Sequence, residues 1–310
     1  MIDIAEYDLF DYDYSKYWEK RAYENLAEKN LLNKIFLNKG GYWFLDIGGS
    51  YGRLTSTYYD SYNKPVIIDY SLKTLIKNRD FIKTKYPNTE LIAANAYKMP
   101  FKENTFDGAL MVRVIHHIEK PDIYFKELNR IMKGNSSYIQ EFPNKIHIKA
   151  VFRALMKLDF NLFKREPYLQ PQITGEEGSN KEYNHIFYNY HPKHIKKLLK
   201  ENNFKILRKY GCSYLRSPFI KKMLGENLMI FIEKIMQNTL SWTNISPSIF
   251  LDTQIKKDSK KDGQTLNLAD ILVCPSCKKS LTYKGSNLAI CKKCSKNFHK
   301  KDDVWDFRIK

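Results

Sequence analysis

Four of the five cysteines form two C-x-x-C pairs near the end of the sequence. Cys274 and Cys277 make the first pair, and Cys291 and Cys294 make the second, with residues 278–290 between the pairs. Two such pairs supply four thiolates, which is the tetrahedral ligand set of structural zinc. The spacing therefore predicts a closed zinc site, in which no coordination position is left open for catalysis.

A second pattern that could do chemistry is a glycine-rich turn after an apolar segment. Residues 42–54 read YWFLDIGGSYGRL. The G-x-G-x-x-G fingerprint of nicotinamide-binding domains is absent from it. Gly48, Ser50 and Gly52 match the G-x-S-x-G nucleophile elbow of α/β-hydrolases. Too few residues precede the turn for the strands that normally come before an elbow, so the pattern disfavours a hydrolase.

The same turn resembles the D-x-G-x-G-x-G motif of class I S-adenosylmethionine-dependent methyltransferases, with Ser50 where the middle glycine is usual. Glycines allow the backbone to approach the methionine end of that cofactor closely. The resemblance implies that Asp46 meets the cofactor ammonium group, directly or through water. It implies that the turn binds the cofactor through Gly48, Gly49, Ser50 and Gly52.

The segment VIIDYS, residues 66–71, is similar to the second-strand motif of these enzymes, in which an acidic residue binds the ribose hydroxyls. Asp69 follows Asp46 by 23 positions, in agreement with the acid expected about 20 residues after such a turn. The resemblance therefore implies cofactor contacts for Asp69 and Tyr70. A helix N-cap is the alternative role, and Ser71 suits it better.

Residues 91–110, LIAANAYKMPFKENTFDGAL, resemble the run that follows the third strand of the family. The acid that holds the adenine amino group there is replaced by Asn95, whose side-chain oxygen can accept the same bond, and the N–H of Ala96 can reach the ring nitrogen. Arg113 follows the fourth strand and is expected beside the cofactor. The closest resemblance is to the type 11 methyltransferase family, whose members act on quinones, lipids, small metabolites, glycans and RNA.

Methyl transfer is an in-line displacement, for which positioning and exclusion of water supply most of the rate. If the acceptor must lose a proton, His116 is the candidate base, because imidazole titrates near neutral pH. His117 beside it is the second histidine of the pair. A histidine with packing duties alone is the alternative, and it stays open.

Short apolar segments alternate with helical ones along most of the chain, which indicates βαβ units. With the resemblance, the pattern predicts an α/β fold: a Rossmann-like, seven-stranded, mostly parallel sheet with helices on both faces. The predicted strands are Tyr42–Ile47, Pro65–Asp69, Glu90–Ala94, Gly108–Val112, Ser137–Glu141, Lys205–Tyr214 and Ser248–Ile255. The predicted helices are 14–38, 52–60, 71–85, 121–132, 192–202 and 219–240.

The sequence divides into a methyltransferase domain at 1–255, a lysine-rich linker at 256–269 and a zinc ribbon at 270–310. The ribbon resembles the small zinc protein that activates tRNA and translation-factor methyltransferases in trans, here joined in cis. Insertions at 144–190 and 219–240 are expected to cover the acceptor crevice.

The insertions are rich in apolar residues with basic flanks, which favours an apolar or lipid-linked small acceptor, with peripheral contact to an anionic membrane. Methylation of tRNA or rRNA is the alternative, which the ribbon resemblance supports. A noncatalytic binding protein on a degenerate methyltransferase fold is the alternative from another class, since Ser50 and Asn95 depart from the family pattern. A further alternative is that the two insertions form a buried cap with none of these roles.

The formal net charge of +18 is compatible with an anionic partner. The excess of 42 Lys over 10 Arg, with much Asn, Ile and Tyr, is equally typical of an AT-biased coding sequence. The first residues, MIDIAEYDLFDYDY, lack the basic and apolar regions of a secretory signal, and no apolar run reaches about 18 residues. The cysteine spacing also indicates metal ligation and not disulfide bonds. Together these features predict a cytoplasmic protein.

Overall fold

A computed structural model describes residues 14–169, 187–258 and 266–309. Within these ranges the strands form one large mixed sheet and one small hairpin. The strands are β1 (Gly41–Ile47), β2 (Tyr62–Asp69), β3 (Glu90–Ala93), β4 (Phe106–Met111), β5 (Met132–Pro143), β6 (Tyr168–Leu169), β7 (Tyr188–Asn189), β8 (Phe204–Cys212), β9 (Ser248–Ile255), β10 (Thr282–Lys284), β11 (Leu288–Cys291), β12 (Lys296–Lys301) and β13 (Val304–Asp306).

The α-helices pack on both faces of the sheet, as the sequence predicted. Buried residues of α4 and α6 join one face, and those of α2, α8 and α3 join the other. The helices are α1 (Tyr14–Glu19), α2 (Ala22–Phe36), α3 (Leu72–Lys85), α4 (Pro121–Ile131), α5 (Ile148–Met156), α6 (Pro192–Glu201), α7 (Pro218–Met223), α8 (Glu226–Thr239) and α9 (Leu268–Ile271).

The strand order is β10-β11-β12-β13-β3-β2-β1-β4-β5-β9-β8. Its last seven strands are the sheet that the sequence predicted, with β9 antiparallel to β5 and β8. The expected number of strands was nevertheless wrong, because the sheet has eleven. The cause is β13, which pairs in parallel with β3 through Trp305 beside Ile92 and Asp306 beside Ala93, and so adds the four ribbon strands to the same sheet.

Alternation along the strands explains how both faces are covered. In β1, Leu45 and Ile47 belong to the apolar cluster that includes α4, whereas Phe44 belongs to the cluster that includes α2. Side chains two residues apart point to the same face of a strand, so this buried run serves two layers. Because β1 lies at the centre of the sheet, the turn that follows it is fixed by packing from both sides.

The predicted helix at 52–60 is not an α-helix. Two 3₁₀ turns, Thr55–Thr57 and Tyr59–Ser61, take its place. Threonine, serine and aspartate favour local side-chain bonds over helix, and the Thr57 hydroxyl does donate to the Leu54 carbonyl at 2.7 Å. The phenol of Tyr58 is held by Asp46, which fixes the segment against β1.

The long helices predicted at 14–38 and 219–240 are each two helices. The first is interrupted between Glu19 and Ala22, and the second divides at Gly225, which precedes α8. Glycine loses more backbone entropy than other residues in a helix, so a break at Gly225 is expected. Among the helices of the described ranges, none is long and apolar enough to cross a membrane.

Candidate functional site

The glycine turn after β1 has a left-handed backbone at three positions, with φ of 72° at Gly48, 50° at Ser50 and 74° at Gly52. A Cβ on Gly48 would lie 2.3 Å from Cγ2 of Val114, so only glycine fits there. Ser50 takes the same backbone region as a glycine would, and its N–H donates to Oδ2 of Asp69 at 3.0 Å. The turn therefore accommodates the departure from the family pattern.

Asp46 lies near the end of β1 with only 3% of its surface exposed. Its Oδ2 accepts a 2.8 Å hydrogen bond from the phenol of Tyr58. Burial raises the pKa of Asp46 to about 7, although the bond from Tyr58 and the nearby charge of Arg53 act in the opposite direction. A buried carboxyl near its titration point is suited to a cation, because a positive partner favours the carboxylate.

Asp69 joins the glycine turn to the second strand. Its two carboxylate oxygens accept from the backbone N–H groups of Ser50 at 3.0 Å and Ser71 at 2.9 Å. Each carboxylate oxygen has a second lone pair, so the group can accept further bonds from hydroxyls. Ser71 caps α3 by accepting from the Thr74 N–H at 3.1 Å, as the sequence predicted.

Asn95 follows β3 and is 4% exposed. Its Oδ1 accepts from the Tyr97 N–H at 2.9 Å, and its Nδ2 donates to the Ile309 carbonyl at 3.3 Å. An aspartate here would place a carboxylate oxygen against that carbonyl, whereas the amide satisfies it. Contact with the ribbon is thus a physical reason for the amide. The next residue, Ala96, is half-buried beside it.

The segment after β13 continues along the edge of the site. The Phe307 N–H donates to the Ala93 carbonyl at 2.8 Å. Arg308, held by Asp306 at 2.9 Å, donates to the Tyr70 carbonyl at 3.4 Å, and its guanidinium lies 5.9 Å from the Tyr70 ring centroid. No local pattern in the sequence marks Arg308 or Ile309 as site residues, since their contacts depend on how the ribbon docks.

A buried ion-pair cluster lies on the other side of the turn. Glu28 of α2 is fully buried and pairs with Arg53 at 2.7 Å and with Arg113, whose Nε donates at 2.8 Å. Burial opposes the charge of Glu28, but the two arginines hold its pKa below the usual value. Trp18 lies against this cluster, with its ring centroid 3.7 Å from the Arg53 guanidinium carbon.

Arg113 takes a left-handed backbone, with φ of 63°, and its N–H donates to Glu141 at 2.8 Å. Its position after β4 places it at the same carboxyl edge of the sheet as Asp46 and Asp69. Its guanidinium is engaged by Glu28. Glu28 precedes the glycine turn in the sequence and has no motif around it, so sequence reasoning did not find it.

His116 is 7% exposed, and Phe187 stacks on it with 4.1 Å between ring centroids. Its Nδ1 has no hydrogen-bond partner among the described residues. Burial, followed by the charges of His117 and Arg113, lowers the pKa of His116 well below 6.5. The imidazole is therefore neutral at physiological pH, and its Nδ1 is buried and unpaired within the described residues.

The four ribbon cysteines converge. The Sγ atoms of Cys274, Cys277, Cys291 and Cys294 all lie within 4.8 Å of one another. Sulfurs about 3.8 Å apart surround a tetrahedral zinc with bonds of about 2.3 Å, so the donor set fits that metal. Lys278 connects the ribbon to α4, since its Nζ lies 2.6 Å from Oε1 of Glu127.

Comparison with known proteins identifies the domain around this site. Residues 45–139 match the family model described as a methyltransferase domain. The chain therefore contains a methyltransferase domain over these residues. It is 27% identical over 205 residues to the uncharacterized protein MJ1252 of Methanocaldococcus jannaschii, covering 63% of this chain and 75% of that protein. It is 26% identical over 141 residues to the ubiquinone/menaquinone biosynthesis C-methyltransferase UbiE of Agrobacterium fabrum, covering 44% of this chain and 53% of that protein.

Solved structures share the fold of this chain. A Thermotoga maritima methyltransferase, described as a possible histamine N-methyltransferase, is 15% identical with a TM-score of 0.52, covering 81% of this chain and 98% of that one. A chain of the complex that contains the Trm112 methyltransferase activator of Haloferax volcanii is 10% identical with a TM-score of 0.53. The match covers 79% of this chain and 94% of that one.

We expect Asp69→Ala to weaken binding of S-adenosylmethionine by about 1 to 3 kcal/mol, the loss of charge-assisted hydrogen bonds. Titration calorimetry measures this change, at a temperature where circular dichroism shows both proteins folded. Ser71→Ala is the matched control, because it removes the α3 cap but keeps the carboxylate. Unchanged affinity in Asp69→Ala would remove this residue from the cofactor site.

We expect Asn95→Asp to lower the free energy of unfolding by about 1 to 3 kcal/mol, because a carboxylate oxygen would then face the Ile309 carbonyl. Denaturant unfolding measures the difference. Asn88→Asp makes the same chemical change at an exposed position and serves as the control. Equal stability of Asn95→Asp and the wild type would contradict a ribbon contact at this residue.

Proposed function

We infer that this methyltransferase acts on an apolar or lipid-linked small acceptor. The observation that carries the proposal is the placement of the insertions. The cofactor motifs lie at the carboxyl ends of β1, β2 and β3, and helices α5 and α7 follow strands that end at the same edge. Both helices bear exposed apolar side chains, including Phe152 and Phe219. Ligands of open α/β sheets bind at this edge.

The residues at the edge fit S-adenosylmethionine. Asp46 suits its ammonium group, Asp69 its ribose hydroxyls, and Asn95 with Ala96 its adenine, while Tyr70 lies beside the adenine end. The backbone of the glycine turn, formed by Gly48, Gly49, Ser50 and Gly52, is close enough to approach the methionine end. Arg113 is proposed to act there through its pair with Glu28, as a residue that fixes the local charge.

The cofactor supplies a methyl group on a sulfonium, and the protein supplies position and shelter from water. His116 and Phe187 form a buried stack beside Arg113, on the segment that follows β4. The buried Nδ1 of this neutral imidazole lacks a partner among the described residues, and an acceptor hydroxyl or amine that reached it would complete its hydrogen bond. Its low pKa makes it a poor proton acceptor at neutral pH, so we assign it a positioning role at the acceptor.

The ribbon is proposed to hold one structural zinc through its four cysteines, as a domain at 270–310 joined by the linker 256–269 to the methyltransferase domain at 1–255. Part of that linker, 259–265, lies outside the described residues, as does 170–186 of the first insertion. Cysteines that remain as thiols are typical of reducing compartments, which supports a cytoplasmic location. The ribbon would then support the cofactor site in cis.

RNA is the second candidate acceptor. The ribbon resemblance and the fold shared with a chain of the complex that contains an activator support it. A binding protein without catalysis is the remaining alternative. Incubation with radiolabelled cofactor, a total lipid extract and bulk tRNA separates these candidates. Label in the lipid fraction supports the proposal, label in tRNA replaces it with the RNA reading, and cofactor binding without any transfer supports the binding protein.

Purified protein is expected to contain about one zinc per chain, since a module this small needs metal to fold. Elemental analysis measures the ratio. Cys291→Ser should lose the metal, because it removes one of four thiolates. Cys212→Ser is the matched control, since Cys212 is buried in β8 outside the cluster. Metal retained by Cys291→Ser, or lost by Cys212→Ser, would contradict this ligand set.

For the acceptor that the labelling experiment identifies, His116→Gln is expected to lower kcat/KM at least about tenfold while the Kd of S-adenosylmethionine stays the same. Because the pKa of His116 lies well below 6.5, its charge is constant from pH 6.5 to about 8. The ratio of wild-type to variant rates should therefore not change over that range. A ratio that rises with pH would instead indicate a base that titrates there. His299→Gln, on the exposed face of the ribbon, is the control.

A further inference from the structure

Helix α5 exposes its apolar face. Ile148 is 58% exposed, Phe152 67% and Met156 72%, and these residues follow one another at intervals of four. Such spacing places them on one side of the helix. Ala154 is the only residue of α5 that is buried. A helix that covers a core normally shows the reverse pattern, with its apolar stripe inward and its polar stripe outward.

The exposed face extends beyond α5. Leu158, Phe160 and Phe163 in the following turn are exposed, and so are Phe219 and Met223 of α7. Lys149 of α5 donates to the Arg216 carbonyl, two residues before α7, at 3.4 Å, so its side chain reaches the segment that leads into α7. We call this surface the apolar ridge: the exposed apolar residues of 148–163 with Phe219 and Met223.

Hydrogen bonds hold the backbone of the apolar ridge against the rest of the protein. Lys145 is 6% exposed, and its Nζ donates to the carbonyls of Lys164 at 3.0 Å and Glu166 at 2.9 Å. These bonds tie the end of the segment back to the end of β5. The Ile148 N–H also donates to the Ile245 carbonyl at 3.1 Å. Its apolar side chains are therefore displayed by a backbone that is bonded to the rest of the protein.

A row of cations borders the apolar ridge. Exposed positions between 148 and 165 carry five basic side chains and one acidic side chain, Asp159. The basic residues are Lys149, Arg153, Lys157, Lys164 and Arg165. Lys149 and Arg153 of α5 and Lys157 at its C-cap follow one another at intervals of four and form a stripe next to the apolar one. A basic stripe beside an apolar stripe is the pattern of helices that lie in the interface of an anionic bilayer.

The composition of the ridge distinguishes a lipid surface from a nucleic acid. Single-stranded nucleic acids bind aromatic side chains on which bases stack. Four of the seven exposed apolar residues at 148–163 are aliphatic or methionine: Ile148, Leu155, Met156 and Leu158. These side chains offer no stacking surface, but they partition into the headgroup and acyl boundary.

We propose that the apolar ridge rests on an anionic lipid surface. The proposal depends on exposure and charge, and it deepens the proposed function by placing the carboxyl edge of the sheet beside a bilayer. A lipid-linked acceptor could then enter the site while its chain stays in the membrane. The ridge would bind such a surface reversibly, as an interfacial contact without a spanning helix.

The test is sedimentation of the full-length, metal-loaded protein with phosphatidylcholine vesicles that contain or lack phosphatidylserine. We expect binding to the anionic vesicles and at least about tenfold weaker binding to the neutral ones. Phe152→Ser with Phe160→Ser should weaken binding to anionic vesicles about tenfold or more. Leu37→Ser with Phe81→Ser is the matched control, because these residues are 78% and 55% exposed elsewhere.

A second pair of variants tests the charge. Lys149→Glu with Arg153→Glu should abolish the preference for anionic vesicles, whereas Lys205→Glu at the opposite edge of the sheet should preserve it. Calorimetry with S-adenosylmethionine should give the same Kd for all variants, which separates this test from the cofactor site. Equal binding of wild type and ridge variants, absence of vesicle binding, or tRNA binding without vesicle binding would each overturn the proposal.

Discussion

The parallel pairing of β13 with β3 is the contact on which the rest of the structure depends. Without it, β3 would be the edge of the core sheet, with a row of unpaired peptide groups. With it, core and ribbon share one sheet, and Trp305 and Phe307 belong to the same buried cluster as Ile92 and Phe101. A ribbon of this size buries too little apolar surface to be stable alone. The pairing therefore satisfies the edge of β3, and it lets the ribbon bury its apolar residues in a shared core.

The pairing also fixes the contacts of Tyr70 and Asn95, at the proposed adenine end of the site. Phe307 continues the ladder to Ala93, and the two residues after it contact Tyr70 and Asn95. Loss of ribbon structure would leave the Asn95 amide without the Ile309 carbonyl. It would also remove Arg308 from Tyr70. The cysteine cluster, the ribbon and the proposed cofactor edge are consequently linked through a few contacts.

Much of this fold follows from local patterns, because they reflect local physics. Apolar segments of strand length marked five of the seven core strands, and the family resemblance indicated the other two. The glycine turn was visible because left-handed backbone selects glycine. Contacts between residues that are distant in sequence produced no local pattern from which they could be predicted. Glu28 with Arg113, and Asn95 with Ile309, are separated by 85 and 214 positions. Neither the period of a helix nor that of a strand relates residues so far apart.

The same long-range contacts change how the departures from the family pattern are understood. Ser50 and Asn95 gave the sequence-based argument for a degenerate, noncatalytic fold. In the structure Ser50 keeps the left-handed backbone of a glycine and donates to Asp69, so the turn keeps its form. Asn95 has the donor that the Ile309 carbonyl needs, which an ionised aspartate lacks. Each departure thus has a partner that explains it. Because the explanation for Asn95 depends on the ribbon, the two modules are best understood as one structural unit.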